Sequence, residues 1–167
     1  MFSIVFMTTR TGDGMSKLKW QCLAFQTLTP SQLYEILQLR SEIFVVEQNC
    51  VYQDLDGLDE DAMHLVGNLD RQLACYARLI PPGVKYDEPA LGRIASQPSL
   101  RRRGYGRAVV ARAIEICEDI WPAEGIRISA QARLENFYRE FGFKTVTAPY
   151  LEDGMPHVEM LRRAGRR

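Results

Sequence analysis

The chain has 167 residues, 46% of them hydrophobic and 25% charged, the length and mix of one globular domain. A domain near this size buries about 70% of its unfolded surface, so it needs neither a metal nor a disulfide staple. Its 21 basic and 21 acidic residues cancel, which removes the overall positive field of a nucleic-acid or membrane-surface binder but leaves room for local patches. Cys22, Cys50, Cys75 and Cys117 are scattered without a Cys-x-x-Cys pair, so they read as reduced, mostly buried thiols of a cytoplasmic protein. No apolar run approaches the ~18 residues that would cross a bilayer.

Residues 1–14 read as a loosely ordered extension ending in the polar stretch Thr8–Gly14, and Met15 is an alternative start. A single domain is expected over 15–162, followed by a basic tail at 163–167. Lys17 to Phe25 reads as the first strand. Thr29-Pro30-Ser31-Gln32 then carries an N-cap threonine, proline at the first helical position, and a glutamine that completes a capping box. Leu33, Ile36, Leu37, Arg40, Ile43 and Phe44 follow at helical spacing, which predicts a helix to about Val46. Asn49 to Asp61 is an acidic loop. Met63–Leu69 and Leu73–Ile80 form a predicted hairpin across Asp70-Arg71-Gln72.

After Pro81-Pro82-Gly83, Leu91 to Ser96 reads as a short buried strand. Gly104 to Ile120 is an amphipathic helix with Val109, Val110, Ala113, Ile114, Cys117 and Ile120 on one face. Ile126–Ala130 is a strand and Leu134–Phe141 a short helix stopped by Gly142. Lys144–Ala148 and Val158–Leu161 are two closing strands. This order predicts an α/β (α+β) fold, a mixed and mostly antiparallel sheet flanked by helices.

Arg101-Arg102-Arg103-Gly104-Tyr105-Gly106-Arg107 lies between a strand and a helix. The first helical turn leaves backbone N–H groups unpaired and carries partial positive charge. The glycines let an anion approach the backbone, and the arginines add charge-assisted hydrogen bonds. The combination describes a polyphosphate cradle; a solvated basic turn that caps the helix is the competing reading. A P-loop is excluded because no Gly-Lys-Ser/Thr occurs, and Val109 stands where a dinucleotide fingerprint wants glycine or alanine.

Arg101, Gly104 and Gly106 resemble motif A of the GNAT N-acetyltransferases, Gln/Arg-x-x-Gly-x-Gly/Ala. Gly92-Arg93-Ile94-Ala95-Ser96 is similar to that family's fourth strand, Pro98 to its usual proline, and Asn136 to Phe143 to its Tyr-x-x-x-Gly-Phe signature. Phe44–Cys50, Tyr52–Gly57, Ala130–Ala132 and Glu152–His157 resemble the ElaA subgroup. The likeness runs from Lys17 to Leu161.

The resemblance implies acetyl-CoA as co-substrate, no metal, and a primary amine as acceptor, which a cationic small molecule or a lysine side chain would supply. Backbone groups of Ile94, Ala95 and Ser96 would meet the pantetheine arm and the thioester carbonyl. The amides from Arg102 through Arg103, Gly104, Tyr105 and Gly106 to Arg107, with Arg101 beside them, would hold the pyrophosphate, and Gln131 and Asn136 would contribute to CoA binding. Tyr138 falls where the family places a tyrosine near the sulfur, though Phe137, Tyr138, Phe141 and Phe143 would also make a core cluster.

Glu47 follows the first helix and is the candidate base; capping a helix or pairing with Arg40 is its bland alternative. Asp54 and Asp56, in the acidic run, and His64 and His157 are candidate acceptor contacts. A solvated loop competes for the aspartates, and structural or proton-shuttling roles compete for the histidines. Gln131 stands where many family members carry asparagine, and Ser96 where an aliphatic residue is common. The alternative to an enzyme is a non-catalytic acyl-CoA-binding or regulatory module. Neither nucleic acid nor a membrane is an expected partner, and a monomer or a homodimer is equally compatible.

Overall fold

A computed structural model describes residues 18–122 and 124–165, so the expected N-terminal extension and the last two residues of the tail lie outside the described residues. Strand β1 (Lys19–Ala24) leads through a tight turn to helix α1 (Pro30–Arg40). The capping box at its start is formed: the Gln32 amide donates to Thr29 Oγ1 at 3.2 Å, and the Thr29 amide donates to Gln32 Oε1 at 2.9 Å. Thr29→Ala should cost about 1 kcal/mol, measured as a lowered midpoint in urea unfolding.

The predicted helix to Val46 is present in extent but not in winding, because Ser41–Glu47 continues α1 as a π-helix. Its last turn closes with the Cys50 amide on the Val45 carbonyl, five residues back. Branched Ile43, Val45 and Val46 crowd a tight α turn, and the wider turn buries Ile43 while keeping Glu47 accessible.

Strands β2 (Met63–Leu69), β3 (Gln72–Ile80) and β4 (Ala90–Ser96) follow, then α2 (Tyr105–Ile120), β5 (Ile126–Gln131), α3 (Glu135–Arg139), β6 (Lys144–Thr145), β7 (Tyr150–Glu152) and β8 (Met155–Arg162). The sheet order is β1-β2-β3-β4-β5-β8-β6, with β7 also paired to β8. Every pairing is antiparallel except β4 with β5. The β2–β3 turn places Asp70 and Arg71 at positive φ, the geometry of a hairpin turn that matches strand twist. Strand β7 was not foreseen; it exists only by pairing with β8 across Asp153-Gly154, both at positive φ.

Helix α2 covers one face of the sheet, packing Val109, Val110, Ala113 and Cys117 on Leu65, Ala77, Ile126 and Ile128. The other face receives α1 and its π-helical extension, with Ile36, Leu39 and Ile43 against Val66, Tyr76 and Ala95. Cys22, Cys75 and Cys117 are buried in the core and Cys50 is half-buried. No helix among the described residues is long and apolar enough to cross a membrane.

Candidate active site

Two irregularities open the sheet. Strands β4 and β5 pair only at Ala90 and Arg127, and beyond that point they part. Within β4, Tyr76 faces Ala95 and Arg78 faces Gly92, so Ala77 opposes both Arg93 and Ile94. Arg93 adopts φ +52°, a bulge that leaves one residue outside the ladder. The parted strands enclose a cleft of about 460 Å³, lined on one wall by Gly92 to Ser96 and on the other by Ile128 to Gln131.

The open end of the cleft meets the arginine–glycine turn. Arg102 at φ +62° and Gly104 at φ +81° fold the turn back on itself, a backbone nest suited to an anion. The first helical bond of α2 runs from the Ala108 amide to the Gly104 carbonyl, so the amides of Tyr105, Gly106 and Arg107 precede the ladder. A Cβ added at Gly104 or Gly106 would meet nothing within 4 Å, and Gly106 itself lines the cleft. Backbone donors, open space and nearby arginines fit the pyrophosphate of a CoA thioester.

The arginine side chains divide. Arg101 lines the cleft and pairs with Glu47 at 2.7 Å across its mouth. Arg102 and Arg103 are exposed, and Arg107 pairs with Glu140 while lying over Phe137 and Phe141. Tyr105 is buried in the core, so only its backbone is available to a ligand. Asn136 sits on α3 away from the cleft wall and accepts from Arg139. Gln131 lines the cleft, donating to Gln48 Oε1 at 3.2 Å and accepting from Arg133 at 2.9 Å.

Tyr138 also lines the cleft. The residue is 8% exposed, and burial pushes its phenol up to about 12. Its ring packs edge-on against Phe137 and Phe143, the core contacts expected of it. Its hydroxyl makes no hydrogen bond among the described residues and is not sealed from solvent, since the enclosed unpartnered side-chain atoms are Arg78 Nε and Arg112 Nε.

The acidic loop is the largest departure from expectation. Asp54 and Asp56 do not line the cleft; they bind Arg40 and the cleft-lining Arg78 and Arg93. Arg40, from the buried stripe of α1, donates to Asp54 at 2.8 Å and to Asp59 at 2.6 Å. Arg78 grips both Asp56 oxygens, at 2.7 and 2.6 Å, and Asp59 at 2.9 Å; Arg93 donates to Asp54 at 2.6 Å. Arg40 therefore pairs with this loop rather than with Glu47.

His64 is likewise fully buried beside this network. The Asp59 carbonyl accepts from Nε2 at 3.0 Å and the Tyr76 hydroxyl donates to Nδ1 at 2.8 Å, so both ring nitrogens are used. Burial holds it neutral by pushing its pKa down. Neither aspartate nor this histidine lines the cleft, because each is held by partners that anchor the loop.

His157 does line the cleft. Its Nδ1–H donates to the Met155 carbonyl at 2.9 Å, which leaves Nε2 as an acceptor. Around it lie residues the sequence reading did not single out individually. Ser129 faces Glu159 across β5 and β8, as Gln131 faces His157, so these side chains share one face. Ser129 Oγ lies 2.6 Å from both the Tyr150 hydroxyl and Glu152 Oε2. The two-residue period of β5 was the available signal, since Arg127, Ser129 and Gln131 alternate with Ile126, Ile128 and Ala130. Among the described residues no group of three or more metal-ligating side chains converges.

The sequence pattern of the acetyltransferase (GNAT) domain matches residues 27–163. Protein ElaA of Escherichia coli strain K12 is 42% identical over 147 residues, spanning 87% of this chain and 96% of that protein. The crystal structure of Escherichia coli ElaA superposes with a TM-score of 0.82 at 41% identity, over 87% of this chain and 99% of that one. An acyl-CoA N-acyltransferase from Pseudomonas aeruginosa superposes with a TM-score of 0.84 at 42% identity, again over 87% and 99% of the two chains. Sequence, fold and the parted strands agree, and the chain belongs to the GNAT acetyltransferase family.

Proposed function

We propose that the protein is a cytoplasmic N-acetyltransferase that moves the acetyl group of acetyl-CoA to a primary amine by direct attack. The observation that carries this reading is the cleft between β4 and β5, which runs from the amide-rich start of α2 to the free hydroxyl of Tyr138. Pyrophosphate at the 101–107 turn would leave pantetheine lying along Ile94 to Ser96, with the thioester beyond the bulge.

The amine must arrive as its free base. Its lone pair forms the N–C bond, and the carbonyl pair moves to oxygen, where backbone donors of β4 stabilise it. Collapse breaks the C–S bond and sends that pair to sulfur, which takes the Tyr138 proton. The nitrogen's surplus proton leaves to Glu47, directly or through water, once the Glu47 ion pair with Arg101 yields. Solvent then restores the phenol.

At 100 times its dissociation constant, acetyl-CoA should stabilise the fold by about 2.7 kcal/mol. For a domain of this size the melting temperature should rise by roughly 5–10 °C. No shift would reject the CoA site. A shift without thiol release on any amine would leave a binding module instead of an enzyme.

A further inference from the structure

Of the carboxylates lining the cleft, Glu47, Glu152 and Asp153, only Glu47 has a cationic partner among the described residues. Glu88 and Glu159, nearby, share Arg127 at 2.8 Å each. Glu152 accepts from Ser129 Oγ and lies beside the Tyr150 hydroxyl, and Asp153 uses its backbone carbonyl to accept from Cys50. Both sit on the β7–β8 hairpin with no counter-ion among the described residues.

The surroundings suit a cation. Tyr86, Tyr52, Phe44 and His157 line the cleft, where Arg127 lies over Tyr86 and Arg93 over Tyr52 and Phe44, and Tyr150 lies tilted to His157 with ring centres 6.2 Å apart. Burial pushes the Tyr86 phenol up, with the nearby Glu159 and Glu152 charges adding to it and Arg127 opposing. Lys85, the ammonium on this wall, lies over the Tyr86 ring at 5.3 Å. Tyr138, whose hydroxyl makes no hydrogen bond among the described residues, lines the same cavity.

The 460 Å³ must take pantetheine as well as acceptor, which limits the acceptor to a small molecule or one side chain.

From this geometry we infer that the acceptor is a short aliphatic amine with a second, permanently cationic amine at its far end, which the Glu152 carboxylate anchors. The inference rests on the acyl-transfer reading above. The near nitrogen reacts as the free base, and the far ammonium stays charged against Glu152 between aromatic walls.

The test measures kcat/KM for thiol release from acetyl-CoA with putrescine, cadaverine, butylamine, γ-aminobutyrate and a lysine-containing peptide. The diamines should exceed butylamine by about tenfold or more, and γ-aminobutyrate should be the poorest. Glu152→Gln keeps an acceptor for Ser129 and should bring the diamine-to-butylamine ratio within about twofold. The acetyl-CoA melting shift of that variant reports that it is folded.

Preference for butylamine, γ-aminobutyrate or the peptide overturns the inference, as does a ratio unchanged in Glu152→Gln. Bound acetyl-CoA with no transfer to any member of the panel also overturns it. Absence of acetyl-CoA binding instead rejects the underlying reading, and the inference with it.

Discussion

Tyr138→Phe should lower turnover by about 10–10⁴-fold while leaving the acetyl-CoA melting shift close to that of the wild type. The substitution removes only a hydroxyl that none of the described residues hydrogen-bonds, and the ring contacts with Phe137 and Phe143 persist. The fold should therefore be almost indifferent to it. Burial holds the phenol at about 12, so it remains a proton donor through the neutral range. The wild-type pH–rate profile should accordingly show no loss of activity from phenol ionisation below about pH 10. Thiol release under saturating acetyl-CoA measures the effect, and turnover at the wild-type level would remove Tyr138 from the chemistry.

Legibility tracked how local the determining interactions are. The capping box at Thr29, the stripe of α2 and the glycine turn at 104–106 depend on neighbours a few residues away, and all three were readable. The β4 bulge was not, because Arg93 enters positive φ without a glycine to announce it. The parting of β4 from β5 is a property of two strands more than 30 residues apart, and no single segment encodes it. The winding change at Ser41 also escaped, since the same apolar spacing suits an α-helix.

The acidic residues are the instructive case. Asp54 to Asp61 is the densest acidic run, yet Asp54, Asp56 and Asp59 within it are held by arginines 14 to 39 positions away. Arg40 already pointed there, as a charge at helical spacing with buried Ile36 and Ile43. A charged residue on an apolar stripe calls for a buried counter-ion, and the nearest unassigned acids are its natural supply. By contrast Glu152 and Asp153, at the β7–β8 hairpin, line the cleft with no cationic partner among the described residues.

Asp59→Ala should be among the most destabilising single substitutions in the chain. One Asp59 oxygen accepts from Arg40 and from Arg78, whose side chains are 0% and 1% exposed. Removing it leaves two buried guanidinium groups short of a partner, a loss of about 3–5 kcal/mol. At 2–4 °C per kcal/mol, the melting temperature should fall by roughly 10 °C or more.

The network also fixes the sign of the acid response. Burial pushes the carboxyls of Asp56 and Asp59 up, but hydrogen bonds and charge from their arginines outweigh it and hold both below the usual range. Their stabilisation is complete above the unfolded value of about 3.9 and is lost as pH falls below it. His64, with its pKa lowered by burial, contributes stability above about 6.5 that is lost as acid protonates the unfolded chain first. Unfolding midpoints measured from pH 8 to 3 should therefore fall in two stages, a shallow one below about 6.5 and a steeper one below about 4. His64→Gln should remove the first stage and Asp59→Ala should flatten the second. Midpoints that rise on acidification would contradict the charge assignment of the network.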